Sequence, residues 1–307
     1  MILINDDFHK IKSKSVYVAL GSFDGLHIGH LSLINKSIDL AKKNNGLSMV
    51  YTFENHPLTF INKEKAPKLL IDNKNKIKLL ENLGIDIACF INFNEHVMKM
   101  NPSDFIKKLV EQYNIKGIVV GFNYRFGYKN LGDLELLKKL SEKLDFELYV
   151  MEAMLWKYEV ISSTRIRQMI SNGSVEEANT LLTRPFMLSG KVIHGRKIGR
   201  TIGFPTANME IDRNMIIPKK GVYYTNLECK GKFLKGITSV GNNPTVNGDN
   251  ITIETYILDF SESIYDNEVK VYFIEYIRDE IKFNSLNDLK NQLEKDKNFA
   301  KLRNIKI

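Results

Sequence analysis

Cysteine is scarce in the 307 residues: Cys89 and Cys229 stand far apart and form no C-x-x-C pair. That argues against a disulfide framework and a cysteine-based metal site, and it fits a reducing, cytoplasmic setting. No apolar run approaches the roughly 20 residues of a membrane span, so no membrane partner is expected. Met1 to Lys10 carries Asp6 and Asp7 without a long apolar core and is not expected to be a signal peptide. There is no internal repeat, no low-complexity segment and no G-x-x-x-x-G-K-[ST] phosphate loop. Charge of one sign is not extreme: Lys and Arg outnumber Asp and Glu by 44 to 36, a formal net of +8. No basic block or basic-aromatic tract stands out, so nucleic acid ranks low as a partner. Phosphorylated small molecules also require a basic excess, and a Lys-rich solvated surface is its commonest cause.

What is present suggests two domains. The length exceeds that of one typical core, and 43% hydrophobic residues suffice for two. In the first half, strand-like runs at 15–20, 47–53, 85–93, 117–120 and 146–151 alternate with helical patterns at 31–44, 74–83, 102–113 and 133–144. Such alternation predicts a parallel sheet with helices on both faces, which binds ligands at the carboxyl ends of its strands. After about residue 182 strand-like runs follow one another, at 186–193, 221–227, 236–240, 251–258 and 270–276. Turn residues separate them, among them Gly241-Asn242-Asn243-Pro244 and Asn247-Gly248-Asp249. This predicts an antiparallel β-barrel. A final amphipathic helix is capped by Ser285, with Leu286, Leu289, Leu293 and Ala300 near one face. Ser171-Asn172-Gly173-Ser174 punctuates two short helical runs before the barrel. The expected division is 1–182 and 183–307.

The densest chemistry lies at Gly21-Ser22-Phe23-Asp24-Gly25-Leu26-His27-Ile28-Gly29-His30, between a strand and a helix. Backbone N–H groups at such a turn point at phosphate. His27 and His30, three apart on a first helical turn, share a face and can donate to phosphate oxygens. Gly25 and Gly29 let a nucleotide approach the backbone. Three further segments fall at strand or helix ends: Thr52-Phe53-Glu54-Asn55-His56-Pro57, Gly121-Phe122-Asn123-Tyr124-Arg125-Phe126-Gly127 and Ile161-Ser162-Ser163-Thr164-Arg165-Ile166-Arg167. By residue type alone, Ser162 and Ser163 read as helix caps and the two arginines as a solvated face.

A second cluster opens the barrel. Gly195, Gly199 and Gly203 recur every four residues among His194, Arg196, Lys197 and Arg200. Glycine permits close approach and the cations suit polyphosphate. Thr206 and Asn208 offer two oxygens, spaced two apart, able to meet one Mg²⁺ and its phosphates. A glycine-rich basic loop without a ligand stays open on composition alone.

The motifs of the first half resemble, in order and spacing, the FAD synthetase half of the prokaryotic bifunctional riboflavin kinase/FAD synthetase family. Its signature here is G-x-F-D-G-x-H-x-G-H, that of the HxGH nucleotidyltransferases. The second half is similar to riboflavin kinase, through G-R-x-x-G-F-P-T-A-N at 199–208, Gly221-Val222-Tyr223, Gly241 to Thr245, and Ile253-Glu254-Thr255-Tyr256. The resemblance implies a Rossmann-like nucleotidyltransferase domain followed by a β-barrel kinase domain. It implies that riboflavin is phosphorylated to FMN, and FMN adenylylated to FAD with release of pyrophosphate, both with ATP and Mg²⁺. His27 and His30 would contact the ATP phosphates, beside Gly21, Phe23, Asp24, Gly25 and Gly29. Asn55 and His56 would lie near nucleotide and metal, Asn123 and Arg125 near ligand, and Ser163 and Arg167 at the pyrophosphate end. In the barrel, Gly195, Gly199, Arg200, Gly203 and Thr206 would hold nucleotide. Phe204, Pro205, Asn208, Gly221 and Tyr223 would hold flavin, Thr206 and Asn208 the metal, and Glu254 would be the general base. Three positions depart from the family pattern: Asn123 stands where many members carry Asp, Tyr256 where many carry His, and Thr183 where a Gly-Arg-Pro turn is usual before Arg184-Pro185. On alternation alone Glu254 would face solvent, with Thr252 and Tyr256.

Overall fold

The computed structural model describes residues 1–5, 14–195, 198–245 and 248–307. The chain divides into two compact units, Met1–Pro67 with Asp72–Ser162, and Lys68–Ile71 with Ser163–Ile307.

The first unit holds strands β1 (Ile2–Ile4), β2 (Val16–Leu20), β3 (Leu47–Phe53), β4 (Ile87–Ile91), β5 (Ile115–Gly121) and β6 (Glu147–Met151). They form one sheet in the order β1-β4-β3-β2-β5-β6, and every pairing is parallel. Between them run helices α1 (Ile28–Lys43), α2 (Pro57–Ile61), α3 (Asn73–Asn82), α4 (Glu95–Lys99), α5 (Pro102–Tyr113) and α6 (Leu134–Leu144), and a two-residue hairpin, β7 (Leu155–Trp156) with β8 (Glu159–Val160), follows. All five residues of β2 and of β4 are buried, because helices cover both faces of a parallel sheet. Alternate residues serve opposite cores. Val16, Val18 and Leu20 pack with Phe105, Ile106 and Leu137 of α5 and α6. Tyr17 and Ala19 pack with Ile34 and Ile38 of α1 and Leu80 of α3.

The predicted strands and helices of this half are all present, with ends shifted by a few residues. The additions are β1, a short edge strand, the two-residue hairpin, and the single-turn helices α2 and α4, all too short for a periodic signal. The helix caps follow side-chain chemistry: Asp72, Asn94, Asn101 and Asp133 each accept from a first-turn N–H of α3, α4, α5 and α6. Because β2 leads outward to β3 on one side and β5 to β6 on the other, the chain reverses its winding between β2 and β5. The loops leaving the carboxyl ends of these two neighbours therefore flank a topological switch point.

In the second unit, α7 (Ser163–Asn172) and α8 (Val175–Leu182) precede six strands: β9 (Phe186–Ile193), β10 (Thr206–Met209), β11 (Gly221–Cys229), β12 (Lys232–Thr245), β13 (Gly248–Ile257) and β14 (Glu268–Arg278). A single turn, α9 (Ile198–Thr201), lies between β9 and β10, and α10 (Leu286–Lys301) closes the unit. The strands make a closed barrel, order β10-β13-β12-β11-β14-β9, with every pairing antiparallel.

The second unit departs from the sequence reading at four places. Thr206–Met209, outside the strand-like runs read in the sequence, is a barrel strand that carries two of the predicted ligand residues. Gly241 to Pro244 was expected as a turn and is strand: Gly241 to Thr245 pair with Gly248 to Thr252, because the β12–β13 hairpin runs longer than its apolar pattern. Of the turn predicted at 247–249, Asn247 lies outside the described residues, while Gly248 and Asp249 are strand. Leu286, expected on the packed face of α10, is exposed; the helix buries Asp296 and Ala300 instead.

Asp296 is 2% exposed and binds the Arg278 guanidinium of β14 through Nε at 3.1 Å and Nη2 at 2.7 Å, with Gln292 adding a third donor. This pair locks α10 to the barrel wall. Asp296→Ala would leave the guanidinium half-buried and uncompensated, and is expected to destabilise the barrel unit by about 3 kcal/mol. Urea unfolding followed by far-ultraviolet circular dichroism measures it, and an unchanged midpoint would refute the assignment.

Candidate active sites

The first site begins where β2 ends. Phe23, Gly25 and Leu26 all have positive φ, at 48°, 86° and 44°, so the chain turns through left-handed geometry that bulky residues rarely adopt. Phe23 and Leu26 accept it because their side chains are fully buried in the core under α1. The turn delivers His27 as the N-cap of α1, with extended backbone. The His27 and His30 rings stack at a centroid distance of 3.6 Å, and Phe23 meets His30 edge-on at 5.4 Å. The expected shared face of the two histidines is therefore present, at the positive end of a 16-residue helix. A Cβ at Gly29 would lie 3.3 Å from the His27 ring, a tight contact that the ring would have to yield to. Asp24 is 3% and His27 4% exposed, while His30 is half-buried. Gly21, ahead of the turn, would press a Cβ against the Phe23 ring. Phe23, expected to contact nucleotide, is wholly buried, so its side chain shapes the turn and cannot itself touch a ligand.

Around this turn the other predicted residues divide. Asn123 and Arg125 are exposed on the loop after β5, across the switch point, and Arg125 Nη1 meets Asp133 Oδ2 at 3.3 Å. His56 caps α2, its Nδ1 accepting from Leu58 N at 3.2 Å. In the neutral ring this puts the proton on Nε2, which makes His56 a donor on its other edge. Asn55 is corrected. Its Nδ2 donates to Phe93 O at 3.0 Å and its Oδ1 accepts from Phe93 N at 2.7 Å, so the amide closes the β3–β4 edge as a backbone surrogate. Ser163 and Arg167 belong to the second compact unit, where Arg167 Nε donates to Lys68 O at 2.6 Å.

One group went unread in the sequence. Lys76, in the run Asn73-Lys74-Asn75-Lys76-Ile77-Lys78, is buried with its Nζ 3.2 Å from Ser22 O. A lysine among lysines and asparagines gives no sequence signal of burial.

The second site lies on the outer face of the barrel. Asn208 is opposite Glu254, and Glu254 is opposite Ser239; one step along, Thr206 is opposite Tyr256. Residues opposite or two apart share a face, so Thr206, Asn208, Glu254 and Tyr256 are gathered on one patch. Thr206 Oγ1 donates to Glu254 Oε2 at 3.3 Å. The neighbours Ile253, Thr255 and Ile257 point into the interior and are buried, whereas Glu254 is half-buried. Phe204, 3% exposed, closes the patch: its ring lies 5.0 Å from Tyr256 and 5.7 Å from Lys297 Nζ of α10. Gly195 touches the seat of Asn208, where a Cβ would collide with the side-chain amide. Gly199 is pinned by Phe204, whose N–H donates to Gly199 O at 2.8 Å. Gly203 turns the chain at φ 86° just before Phe204. Arg200 and Pro205 are exposed beside this turn; Arg196 and Lys197 lie outside the described residues.

Tyr223, expected to bind flavin, is corrected; Gly221, also expected to bind flavin, is buried in the barrel wall. The Tyr223 ring is fully buried inside the barrel against Phe273 and Tyr276, and its hydroxyl donates to Lys219 O. A Cβ on Gly221 would meet the Arg278 carbonyl. Both residues shape the barrel wall.

The donor set suits a hard cation. Thr206 hydroxyl, Asn208 carbonyl and Glu254 carboxylate are all oxygens on one face, the chemistry of Mg²⁺ held by few protein ligands and by phosphate. No cluster of three His, Cys, Asp or Glu occurs among the described residues.

Fold and sites together define a two-part transferase: a nucleotidyltransferase-type parallel sheet and a kinase-type barrel. Residues 9–165 match the FAD synthetase family and residues 182–303 the riboflavin kinase family. Curated relatives called bifunctional riboflavin kinase/FMN adenylyltransferase span nearly the whole length. That of Buchnera aphidicola subsp. Schizaphis graminum is 38% identical over 293 residues, covering 94% of this chain and 93% of the relative. That of Bacillus subtilis is 36% identical over 308 residues, covering 97% and 96%. The chain belongs to the bifunctional riboflavin kinase/FMN adenylyltransferase family. A solved structure described as a macrolide-efflux protein from Streptococcus pneumoniae superposes with a TM-score of 0.90 at 31% identity, covering 99% of this chain and 100% of that one. Among the described residues no helix is long and apolar enough to cross a membrane.

Asn55→Ala would leave the Phe93 N–H and carbonyl without their partner, at a cost of about 1–3 kcal/mol. Thermal unfolding should register that loss; an unaltered melting temperature with weakened nucleotide binding would return Asn55 to the ligand.

Proposed function

We propose that this chain phosphorylates riboflavin to FMN on its barrel and adenylylates FMN to FAD, releasing pyrophosphate, on its parallel-sheet unit, with ATP as co-substrate of both reactions. The observation that carries the reading is the pairing of two intact constellations in one chain: stacked His27 and His30 at the start of α1, and Glu254 bonded to Thr206 on the barrel face.

In adenylyl transfer the α-phosphate gains negative charge as the FMN phosphate attacks. The enzyme's task is placement and charge stabilisation. Nitrogens of His27 and His30 and the Ile28 and Gly29 amides that open α1 would donate to phosphate oxygens. Ser163 and Arg167, which the family resemblance assigns to the pyrophosphate end, lie in the second compact unit. The functional division is proposed at 182/183, where the riboflavin kinase match begins, although the compact units part after Ser162.

In the kinase reaction Glu254 accepts the proton of the riboflavin 5′-hydroxyl as that oxygen attacks the γ-phosphate, and the bond to the β–γ bridging oxygen breaks to release ADP. Its strand position fixes its direction and Thr206 holds one carboxylate oxygen. Phe204, packed beneath the patch, gives the flavin an apolar wall. Thr206 and Asn208 would hold Mg²⁺, which when bound offsets polyphosphate charge. We place the protein in the cytoplasm, in keeping with its two buried, unbridged cysteines.

The test is one incubation with riboflavin, ATP and Mg²⁺, separating flavins over time. FMN should appear and then give way to FAD; FMN that persists when supplied directly with ATP would sink the first half of the reading. His27→Ala should lower FAD formation by about 10²-fold or more while sparing FMN formation. Glu254→Ala should do the reverse, by about 10²–10⁴-fold. Loss of both activities in either folded variant would contradict two separable sites.

A further inference from the structure

Helix α3 carries lysines at 74, 76 and 78. Lys74 and Lys78 are exposed, whereas Lys76 is 5% exposed, beside buried Asn75 and Leu80. Its Nζ stands 5.7 Å from the Phe90 ring centroid and 3.2 Å from Ser22 O. Thr52 Oγ1 donates to the same carbonyl at 2.9 Å. Two donors from two different elements therefore converge on the residue that opens the left-handed turn at Phe23, Gly25 and Leu26. The charged groups facing the ammonium are buried Asp24 from the turn and Asp72 from the N-cap of α3. Burial pushes the Lys76 pKa down to about 8, against the pull of Asp24 and Asp72 in the other direction.

An ammonium is among the costliest groups to bury, and an apolar side chain would fill the same space without that cost. Positive φ at bulky residues persists only where the surroundings over-determine it. The ammonium supplies that constraint and offsets the Asp24 charge.

We propose that Lys76 is a positioning residue for adenylyl transfer: by clamping the Ser22 carbonyl and balancing Asp24 it fixes the turn that places His27 at the start of α1. The inference rests on reading the first unit as an FMN adenylyltransferase. Lys76 acts through the turn and touches no reacting atom in this account. Loss of its charge lets the turn relax, and a displacement of about 1 Å at the histidines is enough to cost on the order of 10²-fold in rate.

The experiment compares FAD formation from FMN and ATP by the full chain and by its Lys76→Met and Lys76→Arg variants across pH, with riboflavin phosphorylation measured in the same samples. Lys76→Met should lower kcat for FAD formation by about 30-fold or more, move KM for ATP by less than about threefold, and leave riboflavin phosphorylation within about twofold. In the unaltered protein FAD formation should fall as pH rises through about 8, because the ammonium is present below that pH and lost above it. Lys76→Arg, charged throughout, should retain most of the activity and shift that fall to higher pH. FAD formation by Lys76→Met within about threefold of the unaltered chain overturns the proposal. So does a fall with pH that Lys76→Arg leaves in place. Should Lys76→Met fail to fold, the two pH profiles decide alone. Absence of FAD formation by the unaltered protein would instead overturn the reading of the first unit.

Discussion

The first unit depends on one backbone carbonyl. Ser22 O, at the carboxyl end of β2, accepts from Thr52 on β3 and from Lys76 on α3. From that fixed point the chain passes through three left-handed residues and enters α1 with His27 as its cap. The sheet order, the burial of Phe23 and Leu26, and the stacking of His27 on His30 all bear on this short path. A phosphate site needs donors whose directions do not relax. Here their rigidity comes from a turn that bulky side chains would leave if the core released them.

The barrel solves a different problem with different means. Its site is a face, made by the pairing of β10 with β13, and the alternation of strands decides which side chains reach it. Behind that face the interior is not purely apolar. Thr225, Thr238 and Thr255, all buried, link hydroxyl to hydroxyl at 2.8 Å, so each of these three hydroxyls has a partner. Outside, α10 covers a second apolar layer of Val222, Tyr224, Ile237 and Ile274. The terminal residues add Asn304 O to the Tyr224 hydroxyl and Lys306 N to Asn226 Oδ1. β11 is consequently buried along both faces almost throughout, and the strand that neighbours the site strands on the far side of β12 is held rigid.

Buried charge marks both units, with opposite consequences. Arg278 and Asp296 meet through several hydrogen bonds and fasten a helix. Lys76 meets one carbonyl and faces two carboxylates through space, and its burial depresses its pKa towards neutrality. A pair satisfied in full is architecture. An ammonium held with incomplete compensation is more easily perturbed, which is where tuning of a site is found.

The order of elements, the change from alternating strands and helices to consecutive strands, and the glycine-histidine turn were legible in the sequence, because periodicity and turn residues are local properties. So was the match of both halves to one family, carried by motifs such as the one from Gly21 to His30. Long-range partners were not legible. Asn55 reads as a ligand residue until the β3–β4 edge brings Phe93 to it, and Tyr223 reads as a flavin contact until barrel closure buries its ring. Thr206–Met209 becomes a strand only because β13 and β9 stand on either side of it. Glu254 would face solvent on alternation alone; its partnership with Thr206 exists only once β10 lies against β13. Lys76 is one lysine among three in sequence, and its burial is decided by which side of α3 docks on Ser22. Sequence determined which residues could do the chemistry, whereas closure of the sheet and barrel decided which of them have their donors and acceptors already spent on the fold.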